Sequence, residues 1–516
     1  MIYLSYVPIL CKTLKNSSNP YLTSKYIIIP ILLVAICFSL LRFVNINADF
    51  PSGINTSGDL YTDEGWYAAS AVRHYLTGEW YRDGDINTAV MQPGGQILYR
   101  ISFSLLGLSL FSARTTIVIF FLLLIVMVAL LVRNYFGNIA AVLSALILAT
   151  NYFAFVYSRL ALRFLIALFF IFASMLIAEN LNGKRGLLKV LIASLLLIYG
   201  ILTSSTVVFA VPLFLFVVWK NGKNVKDRLL FVISAGITIM VFVGSYMLIM
   251  RNLFPTDIAN DNSAVTGSFI TSFPEWQINL LHKLYWCIKN LGIDFVGLTS
   301  LLTLFAVLVS KRFRTDPLVQ MLIGYIVIYI MMLPITKYGP PRYYLMLIVP
   351  FAGLCAIACI TLITWLSEKK VASIGIIPLL LVAFVSMRGS WQIISYISNP
   401  NYSFNQMAHG VRNIIQEREG KVKSVLLFGE IADSISLEIG TNAANCLLWT
   451  KNTVDVRLKR YHPNYLIVHT TNIDKVAASE GGTITELGSW DVFNNYYANG
   501  EKVRLYYVTW PGDVDY

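Results

Sequence analysis

The chain is dominated by apolar runs close to the ~20 residues that cross the hydrocarbon core of a bilayer as a helix. They lie near residues 26 to 43, 114 to 132, 138 to 157, 164 to 179, 187 to 203, 205 to 219, 229 to 249, 293 to 310, 317 to 335, 343 to 366 and 371 to 388. A bilayer core holds no water to satisfy backbone groups, so such runs must be helical. The expected fold is a polytopic α-helical membrane protein with about 11 spans. Composition agrees, since 56% of the 516 residues are hydrophobic and only 13% are charged.

A net charge of +12 would suggest a nucleic-acid partner in a soluble domain, but here the basic residues mark topology. Alternate connections carry Arg133; Lys184, Arg185 and Lys189; Lys220, Lys223, Lys226 and Arg228; Lys311, Arg312 and Arg314; and Lys369 and Lys370. The positive-inside rule puts these, and residues 1 to 25, in the cytoplasm, and no nucleic-acid partner is expected. Residues 44 to 113, 158 to 163, 203 to 206, 250 to 292, 336 to 342 and everything after 389 then face outward. The first run reads as a retained signal anchor. Counting GGQILYRISFSLLGLSLFSAR, residues 94 to 114, as a span would reverse every later connection. It is therefore expected to lie on the outer face, with Arg100 and Arg114 near the headgroups. Cys11, Cys37, Cys287, Cys355, Cys359 and Cys446 form no CxxC pair and imply neither a disulfide framework nor a metal cluster.

After residue 400 the pattern changes. SVLLF, CLLW, YLIVH and VRLYYVTW alternate with helical stretches such as ADSISLEIG, which predicts a small external α/β domain over 400 to 516. FGEIADS joins a strand to a helix, but one glycine does not make a phosphate cradle. A structural or acceptor-handling role follows for this domain.

The first connection holds LYTDEGWYAAS, residues 60 to 70, and so places Asp63 and Glu64 side by side. Helical character continues to Gly78, with Ala68, Ala71, Val72 and Tyr75 on one face and Thr62 as a candidate cap. Acids in a first turn favour the positive end of the helix dipole, which explains them without chemistry. Adjacent helical residues point about 100° apart, so if one carboxylate acts the other supports it. Arg159 and Arg163 in YSRLALRF, and Lys337 and Arg342 in TKYGPPRYY, face the same side. Singly, each is explained by snorkelling towards lipid headgroups. Together with the carboxylates they describe a site for an anion at the bilayer surface, such as a lipid phosphate. RDGD at 82 to 85 reads as a turn; Asp83 and Asp85 as ligands of a divalent ion are the less favoured reading.

DEGWYA, QPGGQILYRISFSLLGLSLFSAR, SRLALR and PPRYY occur in that order between residues 26 and 350. In this the chain resembles the GT-C membrane glycosyltransferases, the superfamily of dolichyl-phosphate-mannose protein mannosyltransferases and the bacterial lipid A aminoarabinose transferase. The resemblance implies transfer of a sugar from a polyprenyl-phosphate carrier to an acceptor on the outer or lumenal face, with inversion at the anomeric carbon. It implies Asp63 as general base, Glu64 as supporting acid, and Tyr67, Arg159, Arg163, Lys337, Arg342 and Tyr343 as substrate-binding residues. No cofactor is expected, since beyond DGD at 83 to 85 the first external connection offers no acidic metal-binding cluster. The partners the resemblance implies are the lipid-linked sugar, membrane lipids and a protein, lipid or glycan acceptor, at a prokaryotic plasma membrane. Gln92, Pro93 and Gly94 stand where the family has a lysine before paired prolines, and Arg163 stands near the place of an acid that follows Ser-Arg. Two alternatives stay open: a transporter or flippase of lipid-linked sugars, and a catalytically silent scaffold. The first predicts mid-span charges and inverted repeats, whereas the spans are nearly free of charge apart from Glu179 and arginines near their ends.

Overall fold

The computed structural model describes residues 20–51, 62–82, 85, 87–179, 181, 185–254, 273–335, 341–369, 371, 374–445, 454–469, 472–492 and 502–511. The larger, N-terminal part is helical: α1 (Pro20–Leu40), α2 (Thr62–Thr77), α3 (Pro93–Leu106), α4 (Leu110–Thr150), α5 (Tyr152–Tyr157), α6 (Phe164–Ala178), α7 (Gly186–Thr203), α8 (Ala210–Asn221) and α9 (Val225–Leu253). It continues through α10 (Phe273–Leu291), α11 (Ile293–Val309), α12 (Pro317–Met332), α13 (Leu345–Glu368) and α14 (Ile376–Ser398).

Among the described residues, six helices are long and apolar enough to cross a membrane, or seven if α10 and α11, bent by 106°, count as one. The difference from the expected number has local causes. The runs at 114 to 132 and 138 to 157 are carried largely by α4, whose 41 residues are interrupted at Gly137 (φ 80, ψ −178). A straight helix of that length would extend about 60 Å, roughly twice a hydrocarbon core; the break at Gly137 divides it into a membrane-length piece of about 40 Å and a shorter one of about 20 Å that α5 continues. Ile28–Phe43, Phe164–Ala178 and Ser205–Asn221 are apolar but shorter than 18 residues. The deepest element is α13, buried along nearly its whole length.

The stretch from 94 to 114 does not form one rod. Pro93 opens α3 and Gly107 (φ 82) closes it, before α4 begins at Leu110. At about 21 Å, α3 is too short to span. It buries Gly94, Gly95, Tyr99 and Phe103 while Ile97, Ile101 and Leu105 form an exposed apolar stripe at i, i+4 and i+8.

The smaller, C-terminal part is an α/β unit: α15 (Ser403–Glu419), β1 (Leu426–Gly429), α16 (Ala432–Ile439), β2 (Asn442–Asn445), α17 (Val454–Tyr461), β3 (Tyr465–Val468), α18 (Ile473–Ser479), β4 (Thr483–Trp490) and β5 (Val503–Thr509). The sheet order is β2-β1-β3-β5-β4. Strands β1, β2 and β3 are parallel, with Leu427 opposite Tyr465, whereas β5 runs antiparallel to β3 and β4. The four residues of β3 are all buried, as a strand inside a sheet covered on both faces requires. SVLLF, YLIVH and VRLYYVTW correspond to β1, β3 and β5, and ADSISLEIG to α16; CLLW lies outside the described residues. Asp49, in the connection after α1, joins the two parts by accepting from the Ser403 amide (2.9 Å), the Ser403 hydroxyl (2.6 Å) and the Phe404 amide (3.3 Å) at the start of α15.

Candidate active site

Helix α2 carries the acidic pair in its first turn and ends at Gly78, whose φ of 84° is the left-handed conformation that stops a helix. Tyr67, Ala68, Ala71 and Val72 are buried, and the small residues let α2 pack closely. Tyr75 is half-buried, edge-on to Phe103 and beneath the Arg100 guanidinium. The Thr62 side chain lies outside the described residues.

The two acids have different surroundings. Glu64 is 4% exposed and fully engaged: Arg114 donates Nε to Oε1 at 2.8 Å and Nη2 to Oε2 at 2.7 Å, and the Ala161 amide donates to Oε1 at 2.7 Å. Arg114 completes its fork on the carbonyls of Ile46 (2.8 Å) and Ala48 (2.9 Å). This corrects the expectation that Arg114 sits near headgroups, for it is 1% exposed and its charge is neutralised inside the protein. Arg100 also turns to the protein, donating to His74 Nδ1 at 2.9 Å. Asp63 is more open, with a side chain 13% exposed and Oδ2 2.6 Å from Arg342 Nη1.

Arg163 lies just before α6, buried, with its guanidinium carbon 4.2 Å from the Tyr67 ring centroid and 5.8 Å from that of Trp66. Phe164 meets Tyr67 and Tyr343 edge-on at 6.1 and 5.8 Å. Asp63, Tyr67, Arg163, Arg342 and Tyr343 therefore form one neighbourhood. Burial lowers the Arg163 guanidinium from its ordinary pKa, with Tyr67 acting in the opposite direction. Among the described residues Arg163 has no carboxylate partner and its buried Nε has no hydrogen bond. The fully buried Tyr99 adjoins it and its hydroxyl is likewise without a partner.

Arg159 keeps different company. Its Nη2 donates to the Val44 (2.8 Å) and Asn45 carbonyls, and its guanidinium stacks on Phe155 and Tyr396 at 5.2 and 5.0 Å. Lys337 and Asp83 lie outside the described residues. Asp85 is 2.9 Å from Arg73, 3.7 Å from Arg82 and 3.3 Å from Arg457 of α17, so cationic side chains already surround it. Arg114 and Tyr99 are the residues that motif reading missed. Their signal was the spacing of YRISF and FSAR behind the proline of QPGG, which the headgroup reading set aside.

A family described as dolichyl-phosphate-mannose-protein mannosyltransferase matches residues 91–247. A comparison with curated protein sequences finds no match. Among solved structures, ArnT from Cupriavidus metallidurans bound to undecaprenyl phosphate superposes with a TM-score of 0.64 at 14% identity, over 93% of this chain and 98% of that one. The chain has the GT-C fold. The GT-C likeness extends to the archaeal oligosaccharyltransferase AglB from Archaeoglobus fulgidus, in complex with an inhibitory peptide and a dolichol-phosphate. That match has a TM-score of 0.56 at 12% identity, over 96% of this chain and 75% of that one. A second structure of the Archaeoglobus fulgidus enzyme, tethered to an acceptor peptide, matches with a TM-score of 0.54 at 13% identity, over 86% and 69% of the two chains. The GT-C superposition with ArnT runs through both the helical part and the α/β unit, since it covers nearly all of each chain.

Proposed function

We propose that the protein is an inverting glycosyltransferase that moves a sugar from a polyprenyl-phosphate carrier to an acceptor on the external face of a prokaryotic plasma membrane. The observation that carries this reading is the pairing of Asp63 with Arg342 at 2.6 Å beside the buried Arg163, which has no carboxylate of its own. Buried charges need a counter-charge, and a phosphate that enters from the lipid phase supplies one. The solved relatives named above hold undecaprenyl phosphate or dolichol-phosphate, which supports a carrier of that class.

In the reaction the carrier phosphate takes Arg163 and draws Arg342 from Asp63, with Tyr67 and Tyr343 lining its seat. Asp63 then accepts the proton of the acceptor hydroxyl as that oxygen attacks the anomeric carbon. The bond to the phosphate oxygen breaks on the opposite face, and the guanidinium groups stabilise the charge left on the polyprenyl phosphate. Glu64 holds Arg114 and the Ala161 amide, and so supports Asp63 by fixing the backbone of α2. No step requires a metal ion.

The test is transfer from a polyprenyl-phosphate-linked sugar by the purified protein in lipid nanodiscs. Asp63→Asn is expected to lower turnover at least ~100-fold while undecaprenyl phosphate still binds. Equal turnover by wild type and variant would remove Asp63 as the base.

A further inference from the structure

The helix that bears Asp63 does not finish its own first turn. The first N–H groups of any helix lack intrahelical partners and must find acceptors elsewhere. For α2 one of these groups is the Gly65 amide, which donates to the Ser434 hydroxyl of α16 at 3.1 Å. For α4, whose Arg114 holds Glu64, the Leu110 amide donates to Glu438 Oε2 at 3.1 Å. Ser434 and Glu438 are four residues apart on α16 and so share one face. One short helix of the α/β unit thus satisfies the starts of the two helices joined by the Glu64–Arg114 pair.

The fit is close as well as polar. A Cβ added at Gly65 would fall well inside van der Waals distance of the Ser434 amide nitrogen and of the Asp433 carbonyl carbon, so only glycine admits α16 here. Glu438 is anchored in turn by His409 of α15, whose Nε2 lies 3.3 Å from Oε1. Next to α15, Asp49 caps that helix from the helical part.

We propose that Ser434 and Glu438 are positioning residues for Asp63: α16 clamps the first turns of α2 and α4, and this holds the carboxylate of Asp63 in line with its substrates. The α/β unit is in this sense part of the catalytic apparatus, though neither residue touches the reacting atoms. The role rests on the glycosyl-transfer reading, and its test separates the two. Full-length protein in nanodiscs is compared as wild type, Ser434→Ala and Ser434→Thr by three measurements: amide hydrogen exchange in the first turn of α2, transfer kinetics and binding of undecaprenyl phosphate.

Ser434→Ala is expected to speed exchange at the Gly65 amide about tenfold, the scale of a lost cap. It should lower kcat by a similar factor with carrier KM and undecaprenyl phosphate binding unchanged, and Ser434→Thr should restore both exchange and kcat. Unaltered exchange in Ser434→Ala, or faster exchange with unaltered kcat, would overturn the proposal. A wild-type protein with no transfer activity would instead remove the proposed function, and the exchange data would then decide on the clamp alone.

Discussion

Arg114 and Glu64 meet side by side through two parallel hydrogen bonds, 2.8 and 2.7 Å long, with both side chains buried. Removing one partner strands the other charge out of water, the costliest way to break such a pair. Arg114→Met should destabilise the protein by about 3–5 kcal/mol, and the double variant with Glu64→Leu should regain much of that loss. Chemical denaturation of the detergent-solubilised protein, read as a double-mutant cycle, measures the coupling.

Arg163 and Arg159 lie on one short turn but face different demands. Replacing Arg163 with Gln should weaken undecaprenyl phosphate binding by about 10- to 100-fold, the range of a hydrogen bond to a charged group. Arg159→Gln should act mainly on stability, because its Nη2 ties down the Val44 and Asn45 carbonyls and its guanidinium stacks on Phe155 and Tyr396. Equilibrium binding of the lipid phosphate and thermal unfolding, measured on both variants, tell the two roles apart.

Gly65→Ala should cost about 1–3 kcal/mol by forcing α16 away from α2, as overpacking does elsewhere. The expected sign is earlier proteolysis within the α/β unit and a lower unfolding midpoint. At Gly78 nothing lies within 4 Å of an added Cβ, so Gly78→Ala should cost only the strain of a left-handed residue, about 1 kcal/mol.

His74 accepts the Arg100 Nε–H at Nδ1 and is therefore neutral in this arrangement. Burial first, and Arg100 second, lower its pKa from the ordinary value of 6.5. A base whose folded pKa is depressed contributes stability that is present above its unfolded value and lost as pH falls through the folded one. Acidification below pH ~6.5 should therefore loosen α3 from α2, seen as faster hydrogen exchange in residues 93–106. In His74→Asn that pH dependence should shrink.

Much of this arrangement could be read from the residues themselves. The apolar runs, and α16 with three of the strands, followed from periodicity, whereas the stretch from 94 to 114, read as one surface helix, is split at Gly107. Asp63, Arg163 and Arg342 could be grouped because alternate connections share a side. The partner of Glu64 could not be found that way: an arginine at the end of an amphipathic run looks like a headgroup contact, and only packing shows that two carbonyls and a carboxylate await it. The division of α4 was legible, because the backbone break at Gly137 falls between the apolar runs at 114 to 132 and 138 to 157.

The Ser434–Gly65 and Glu438–Leu110 bonds close loops of 369 and 328 residues. During synthesis the first turns of α2 and α4 must therefore wait, unsatisfied, until α16 has been made and the α/β unit that carries it has folded. A ribosome that stalls after α14 would leave a protein with every long apolar helix made but with the starts of α2 and α4 unfinished. A finished pair of first turns thus reports on completed folding of the C-terminal unit.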